Sequence, residues 1–333
     1  MTGRQTLEIA DLALAGGETL PRARLVYRTL GTLSPARDNV VLIPSWYSGT
    51  DREAELCMVG PGRAIDPARH FVVLTNLLSG GVSSSPSNTP PPYDAGCFPR
   101  VSLHDNVRLQ HSLLTETLGI ERIKLVAGWS MGGCQAYQWG AQYPEMVEAI
   151  APLCGSARTA HFNKIFLLSL RRALELDPAF EDGFYRRPPV RGLRAFATIY
   201  AGWGFSEPFY RTEAFRQFGA ATAAEFSARF WEPAFLHHDA NDLLALLRCW
   251  EEGDISADPR YGGDLDRALG AITARAIVMP GEYDSYFPPA DSRAEVARMP
   301  RAECRVIPSI WGHMTLWNPE DRPFIDAALR ELL

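Results

Sequence analysis

The chain has 333 residues, a formal net charge of −6, and 46% hydrophobic against 22% charged residues. Those proportions describe a soluble globular protein with a sizeable core and exclude wholesale disorder and the fibrous classes. The acidic balance offers no basic surface for nucleic acid or an anionic membrane, and no apolar run reaches the length of a membrane span. Residues 1–14 lack a basic segment followed by an apolar one, so no export signal is expected. The six scattered cysteines contain no CxxC pair; they read as reduced thiols of a cytoplasmic protein, and no metal site is expected.

In chain order, Leu7, Ile9, Leu12 and Leu14 alternate with polar residues before Gly16-Gly17. With the apolar residues of 25–33 they predict an opening antiparallel hairpin. Residues 39–44 and 71–77 are short continuous apolar runs, the pattern of strands covered on both faces in a parallel sheet. Residues 107–118 carry apolar side chains at helical spacing and stop at Gly119. Residues 123–128 read as another buried strand, 131–143 as a helix ended by Pro144, and 147–153 as a further strand. After Gly155 the alternation stops. Residues 162–176, 192–200, 215–231 and 239–250 predict helices with no strand between them. The rhythm returns with a strand at 276–280, a helix from Asp291, a strand at 304–307 and a final helix from Asp321. The expected fold is α/β: a mostly parallel central sheet with helices on both faces. Residues 1–155 and 265–333 form its core, and 156–264 form a helical insertion that holds more than half of the aromatic residues.

Gly128-Trp129-Ser130-Met131-Gly132 reads G-x-S-x-G where a buried strand ends and a helix begins, the setting of a nucleophile elbow. Its plainer reading is a serine capping a helix. The glycines are needed because side chains at those positions would collide with backbone in so tight a turn. A serine alcohol needs a base, and in this strand order an acid and then a histidine follow it on later loops. His313 is the one of seven histidines that follows the last strand. His104, His111, His161, His237 and His238 read as surface or packing residues, and His70 offers nothing specific. Asp284, after the strand at 276–280, is the expected acid, with Glu282 as its competitor. An oxyanion hole needs two backbone N–H groups. Met131 after the nucleophile is one expected donor, and Tyr47 in the loop 45–49 is the other.

Further stretches extend the pattern. They include residues 60–66, the Ser/Pro-rich loop 80–88, and Asp105-Asn106-Val107 with Gln110. Gly133 with Gln135-Ala136, Asp177-Pro178 with Gly183 and Tyr185, residues 239–243, and Gly312-His313 complete it. Together they resemble, over nearly the whole chain, the homoserine O-acetyltransferase group of proteins with the α/β-hydrolase fold. The resemblance implies a catalytic triad of Ser130, Asp284 and His313. It also implies that the insertion is a lid whose helices make a homodimer contact. The chain departs from the group where specificity is set. Met314 stands where an aspartate usually pairs the amino acid's ammonium group, and Trp129 stands in place of a glycine. Loop 45–49 carries Trp46, Tyr47 and Ser48 in place of the usual residues, and Trp311 adds a ring beside His313. The substrate pocket is therefore expected to be bounded by Trp46, Ser48, Trp129, Trp311 and Met314 and to be apolar. These changes predict a serine esterase for an uncharged or hydrophobic small-molecule ester, working without a cofactor. The alternatives are an O-acyltransferase taking acetyl-CoA or another thioester as co-substrate, and a non-catalytic small-molecule binder on the same fold.

Overall fold

A computed structural model describes residues 3–333. Among them, eight strands form one sheet in the order β1-β2-β4-β3-β5-β6-β7-β8. The strands are β1 (Gln5–Ala13), β2 (Thr19–Leu30), β3 (Val40–Pro44), β4 (Phe71–Thr75), β5 (Leu125–Trp129), β6 (Ala149–Leu153), β7 (Arg275–Val278) and β8 (Ala302–Cys304). The opening hairpin pairs antiparallel and lies antiparallel against β4; every later pairing is parallel. All residues of β3, β5 and β6 are buried, which is why these strands read as unbroken apolar runs.

The pleat sends alternate residues to opposite faces. Val41 and Ile43 join a core that includes α1 (Asp51–Met58) and the C-terminal helix Arg322–Leu332; Val40 and Leu42 join one with α2 (Leu103–Ser112) and α3 (Met131–Gln142). The helix expected over 107–118 thus starts earlier and closes in a wider π turn at Leu113–Thr117.

Between β6 and β7 the described residues form helices without a strand. These are α4 (His161–Glu175), α5 (Val190–Gly204), α6 (Glu207–Arg211), α7 (Ala223–Phe226), α8 (Glu232–Leu236) and α9 (Ala240–Glu251), followed by α10 (Leu265–Gly270). The single helix expected over 215–231 is broken. Gly219, at φ +75, ends a 3-10 turn over Ala214–Phe218, and Thr222 caps a new start by accepting from the N–H of Glu225. Residues 157–159 at the start of the insertion and 253–255 towards its end are hydrogen-bonded to each other as a short stem. Thr159 N–H donates to Gly253 O at 2.9 Å, Ile255 N–H to Ala157 O at 2.9 Å, and Arg158 pairs with Asp254 at 2.7 Å. The chain then runs through β7, α11 (Pro289–Val296), β8 and α12 (Arg322–Leu332). The last strand is shorter and earlier than expected, and Ile307 keeps only an isolated bridge to Gly281.

The aromatic residues of the insertion pack largely on one another. Phe205 stacks on Phe209 at 4.0 Å, Phe226 on Phe230 at 5.2 Å, and Phe218 meets Phe226 at 5.2 Å. No helix among the described residues is long and apolar enough to cross a membrane.

Candidate active site

Strand β5 ends at Trp129 and α3 begins at Met131, so Ser130 alone makes the turn, at φ 57 and ψ −126. That left-handed backbone is strained for a serine. The turn is also too tight for side chains on either side. A Cβ on Gly128 would lie 2.2 Å from Gly132 O, and one on Gly132 would lie 2.6 Å from Pro44 O.

Three loops converge above the sheet. Ser130 Oγ lies 3.0 Å from His313 Nε2, and His313 Nδ1 lies 2.8 Å from Asp284 Oδ2. A carboxylate only accepts, so Nδ1 carries the proton and donates, leaving Nε2 to accept from the serine hydroxyl. Asp284 is held in turn: its Oδ1 accepts from the N–H of Tyr286 at 2.8 Å and of Phe287 at 3.1 Å. All three side chains are buried. Glu282, the competing carboxylate, is exposed to solvent.

Trp129 does more than narrow the pocket. Its ring lies over the His313 ring at 4.6 Å, and its Nε1–H donates to His313 O at 3.0 Å. Trp46 meets Trp129 edge-on at 5.1 Å, and the Tyr286 ring stands edge-on to His313 at 4.5 Å. The residue before the serine therefore fixes the loop that carries the histidine.

Met131 opens α3, and Tyr47 lies in the loop after β3; neither backbone N–H has a protein acceptor among the described residues. The Tyr47 side chain points away into the insertion, where its hydroxyl donates to Leu243 O at 3.1 Å and its ring stacks on Tyr200. Burial pushes this phenol well above its usual range.

Ser130 and His313 open onto a cavity of about 300 Å³. Trp46, Ser48, Trp129 and Met314 line it, and Tyr200, Trp231 and Phe235 from the insertion border it as well. Trp311 does not line it, contrary to expectation. Gly312 turns the chain at φ +63 between Trp311 and His313, and the Trp311 ring packs against Phe205, Phe209 and Phe218. His237 and His238 read from the sequence as surface or packing residues; His237 is exposed, and both line the cavity with Glu53. Two adjacent histidines carry no spacing signal that points to a cavity, so the sequence alone does not find them.

The remaining motifs tie the insertion down. Asp239 caps α9 and accepts from the Tyr185 hydroxyl at 2.6 Å. Asp242 accepts from Ser87 N–H at 3.0 Å and from its hydroxyl at 2.6 Å, joining the insertion to the Ser/Pro-rich loop. Cys154, Asp284 and His313 place possible ligand atoms within 4.8 Å of one another. Burial, with Asp284 nearby, raises the Cys154 thiol and keeps it protonated, while Asp284 and His313 Nδ1 are already bonded to each other. That donor set does not suit a metal.

The chain is 36% identical to an ethyl acetate hydrolase of Pseudomonas veronii over 333 residues, covering 99% of this chain and 95% of that one. It is 31% identical to a homoserine O-acetyltransferase of Trichormus variabilis, covering 90% and 86%. Its fold matches the solved structure of the acetyl esterase MekB with a TM-score of 0.97 at 36% identity, over 99% of this chain and 96% of that one. Residues 38–319 match the alpha/beta hydrolase fold model, and the chain belongs to that family.

Proposed function

We propose that this enzyme is a serine hydrolase that cleaves small, uncharged or hydrophobic carboxylic esters through an acyl-enzyme on Ser130. The observation that carries the reading is the unbroken hydrogen-bonded run from Asp284 through His313 to Ser130 at the floor of an aromatic cavity. In this reading Ser130 Oγ attacks the ester carbonyl carbon and its proton passes to His313 Nε2. Asp284 stabilises the imidazolium. The N–H groups of Tyr47 and Met131 bind the developing oxyanion, each donor being worth about 3 kcal/mol in the transition state. When the tetrahedral intermediate collapses, His313 returns the proton to the departing alcohol. A water then repeats the sequence in reverse and frees the acid. No step calls for a cofactor.

Relatives that hydrolyse ethyl acetate and acetyl esters support an acetyl-sized acyl group. Transfer from acetyl-CoA to homoserine is the competing reading. That acceptor carries an ammonium and a carboxylate, and among the described residues no arginine or lysine lines the cavity to pair the carboxylate. Glu53 would repel it, and although Glu53 could attract the ammonium, Met314 beside His313 offers that group nothing. The bonded Ser130–His313–Asp284 run is not what a simple binder needs. A homodimer through the insertion is part of this proposal; Phe162 and Ile165 on α4, 60% and 61% exposed, support it. So is a cytoplasmic setting, supported by six free cysteines.

The test is hydrolysis of p-nitrophenyl acetate by the wild type and by Ser130→Ala, with fluorophosphonate labelling of both. Turnover and labelling should both vanish in the variant. Retained turnover, or acetyl-CoA consumption that occurs only when homoserine is present, overturns the reading.

A further inference from the structure

The cavity above Ser130 has two unlike walls. The inner one is aromatic and sealed: Trp231 and Phe235 are buried there, with Tyr200 beside them. The outer one, towards solvent, carries the polar residues Ser48, Glu53, His237 and His238 beside the half-buried rings of Phe230 and Trp317. His237 is exposed and His238 half-buried, so the cavity opens on this side.

Of the polar groups on the outer wall, His237 and Glu53 are held by the protein, and these two and His238 have bonding capacity left over. His237 Nδ1 donates to Pro233 O at 3.0 Å, which leaves its Nε2 as an acceptor. Glu53 is pinned by the cap of α1, where its Oε2 accepts from Thr50 N–H at 2.9 Å, and Oε1 has no donor among the described residues. The His238 ring lies 4.1 Å from the His237 ring and bonds to no protein group among the described residues. Burial first, and the neighbouring His237 second, push the His238 imidazole down to about 4. It is therefore neutral at ordinary pH and offers one donor and one acceptor. A purely alkyl ester would desolvate these groups and return no hydrogen bond.

Resting on the esterase reading above, we infer that the alcohol part of the preferred substrate carries a free hydroxyl group, which the outer wall binds through His238. The substrate class is the monoacyl ester of a small diol or polyol. A hydroxyl donates and accepts at once, which matches a neutral imidazole better than an ammonium or a carboxylate does. Glu53 can accept the hydroxyl proton and repels acidic alcohols. The alcohol, not the acyl group, belongs at this wall because it leaves first, and this is the side open to solvent. The acyl group then lies against the sealed aromatic wall.

Ethyl acetate and 2-hydroxyethyl acetate differ by one hydroxyl and test the inference directly. The wild type should favour the hydroxylated ester in kcat/KM by about tenfold, the scale of one hydrogen bond. His238→Phe should bring that ratio to about one, mainly through KM, and His238→Asn should restore part of it. A wild-type ratio near one, or a ratio unchanged in His238→Phe, overturns the inference. Turnover of p-nitrophenyl acetate separates the two claims. If it persists while the ratio is one, only this inference fails; if no ester is cleaved, the esterase reading fails.

Discussion

Glu295 offers a stability test that does not touch the chemistry. It sits on α11 and is 6% exposed, and its Oε1 accepts from the N–H of Ala157 at the foot of the insertion at 2.8 Å. Burial raises its carboxyl from 4.5 to about 7, against a smaller opposing pull from its hydrogen bonds. A carboxyl whose pKa is higher in the folded than in the unfolded chain is protonated more readily when folded. Its contribution to stability is complete below the unfolded pKa and drains away as pH rises through the folded one. From 4.5 to about 7 the shift corresponds to about 3 kcal/mol. Glu295→Gln keeps an acceptor for Ala157 and removes the titration. Equilibrium urea unfolding of both proteins, followed by tryptophan fluorescence between about pH 4.5 and about pH 8, reads the difference. Wild-type stability should fall relative to the variant by about 3 kcal/mol across that range. Asp242, also raised by burial to about 7, titrates in both proteins and cancels in the comparison. A difference that stays flat with pH refutes the reasoning.

Two further predictions concern the site itself. Asp284→Asn retains an oxygen for the N–H groups of Tyr286 and Phe287 but leaves His313 in the wrong tautomer. Stability should change little while kcat drops by about 10⁴-fold, and a loss below about tenfold would contradict the assigned role. Trp129→Phe keeps a ring over His313 but removes the donor to its carbonyl. Unfolding free energy should fall by about 1–3 kcal/mol and kcat should drop more than KM rises; an unchanged kcat would show that the tie does not position the histidine.

Much of this architecture is written locally. β3, β5 and β6 are buried on both faces and so leave unbroken apolar runs. The elbow needs glycines at fixed offsets from Ser130, and Asp284 and His313 follow their strands in order. What escapes the sequence is set by contacts between distant segments. Nothing in Trp129 says that its indole N–H will meet a carbonyl 184 positions away. Trp311 and His313 are two residues apart, yet the turn at Gly312 parts them. The run 215–231 reads as one helix because its apolar residues keep helical spacing. A single glycine at positive φ, followed by a fresh cap, divides it. His237 and His238 belong to the cavity only because the turn between α8 and α9 borders the same space as Glu53 of α1, a relation that no periodicity encodes.

The stem formed by residues 157–159 and 253–255 makes the insertion a cassette. Its two strands of chain meet there, so a replacement has to satisfy that stem and, beyond it, offer partners to Ser87 and to the Tyr47 hydroxyl, which the present insertion bonds through Asp242 and Leu243. The hydrogen bonds among Ser130, His313 and Asp284, and the Trp129 tie to the histidine loop, all lie outside it. Roofs from relatives could therefore be grafted between these positions to change which alcohols are accepted, while the attacking group keeps its aim.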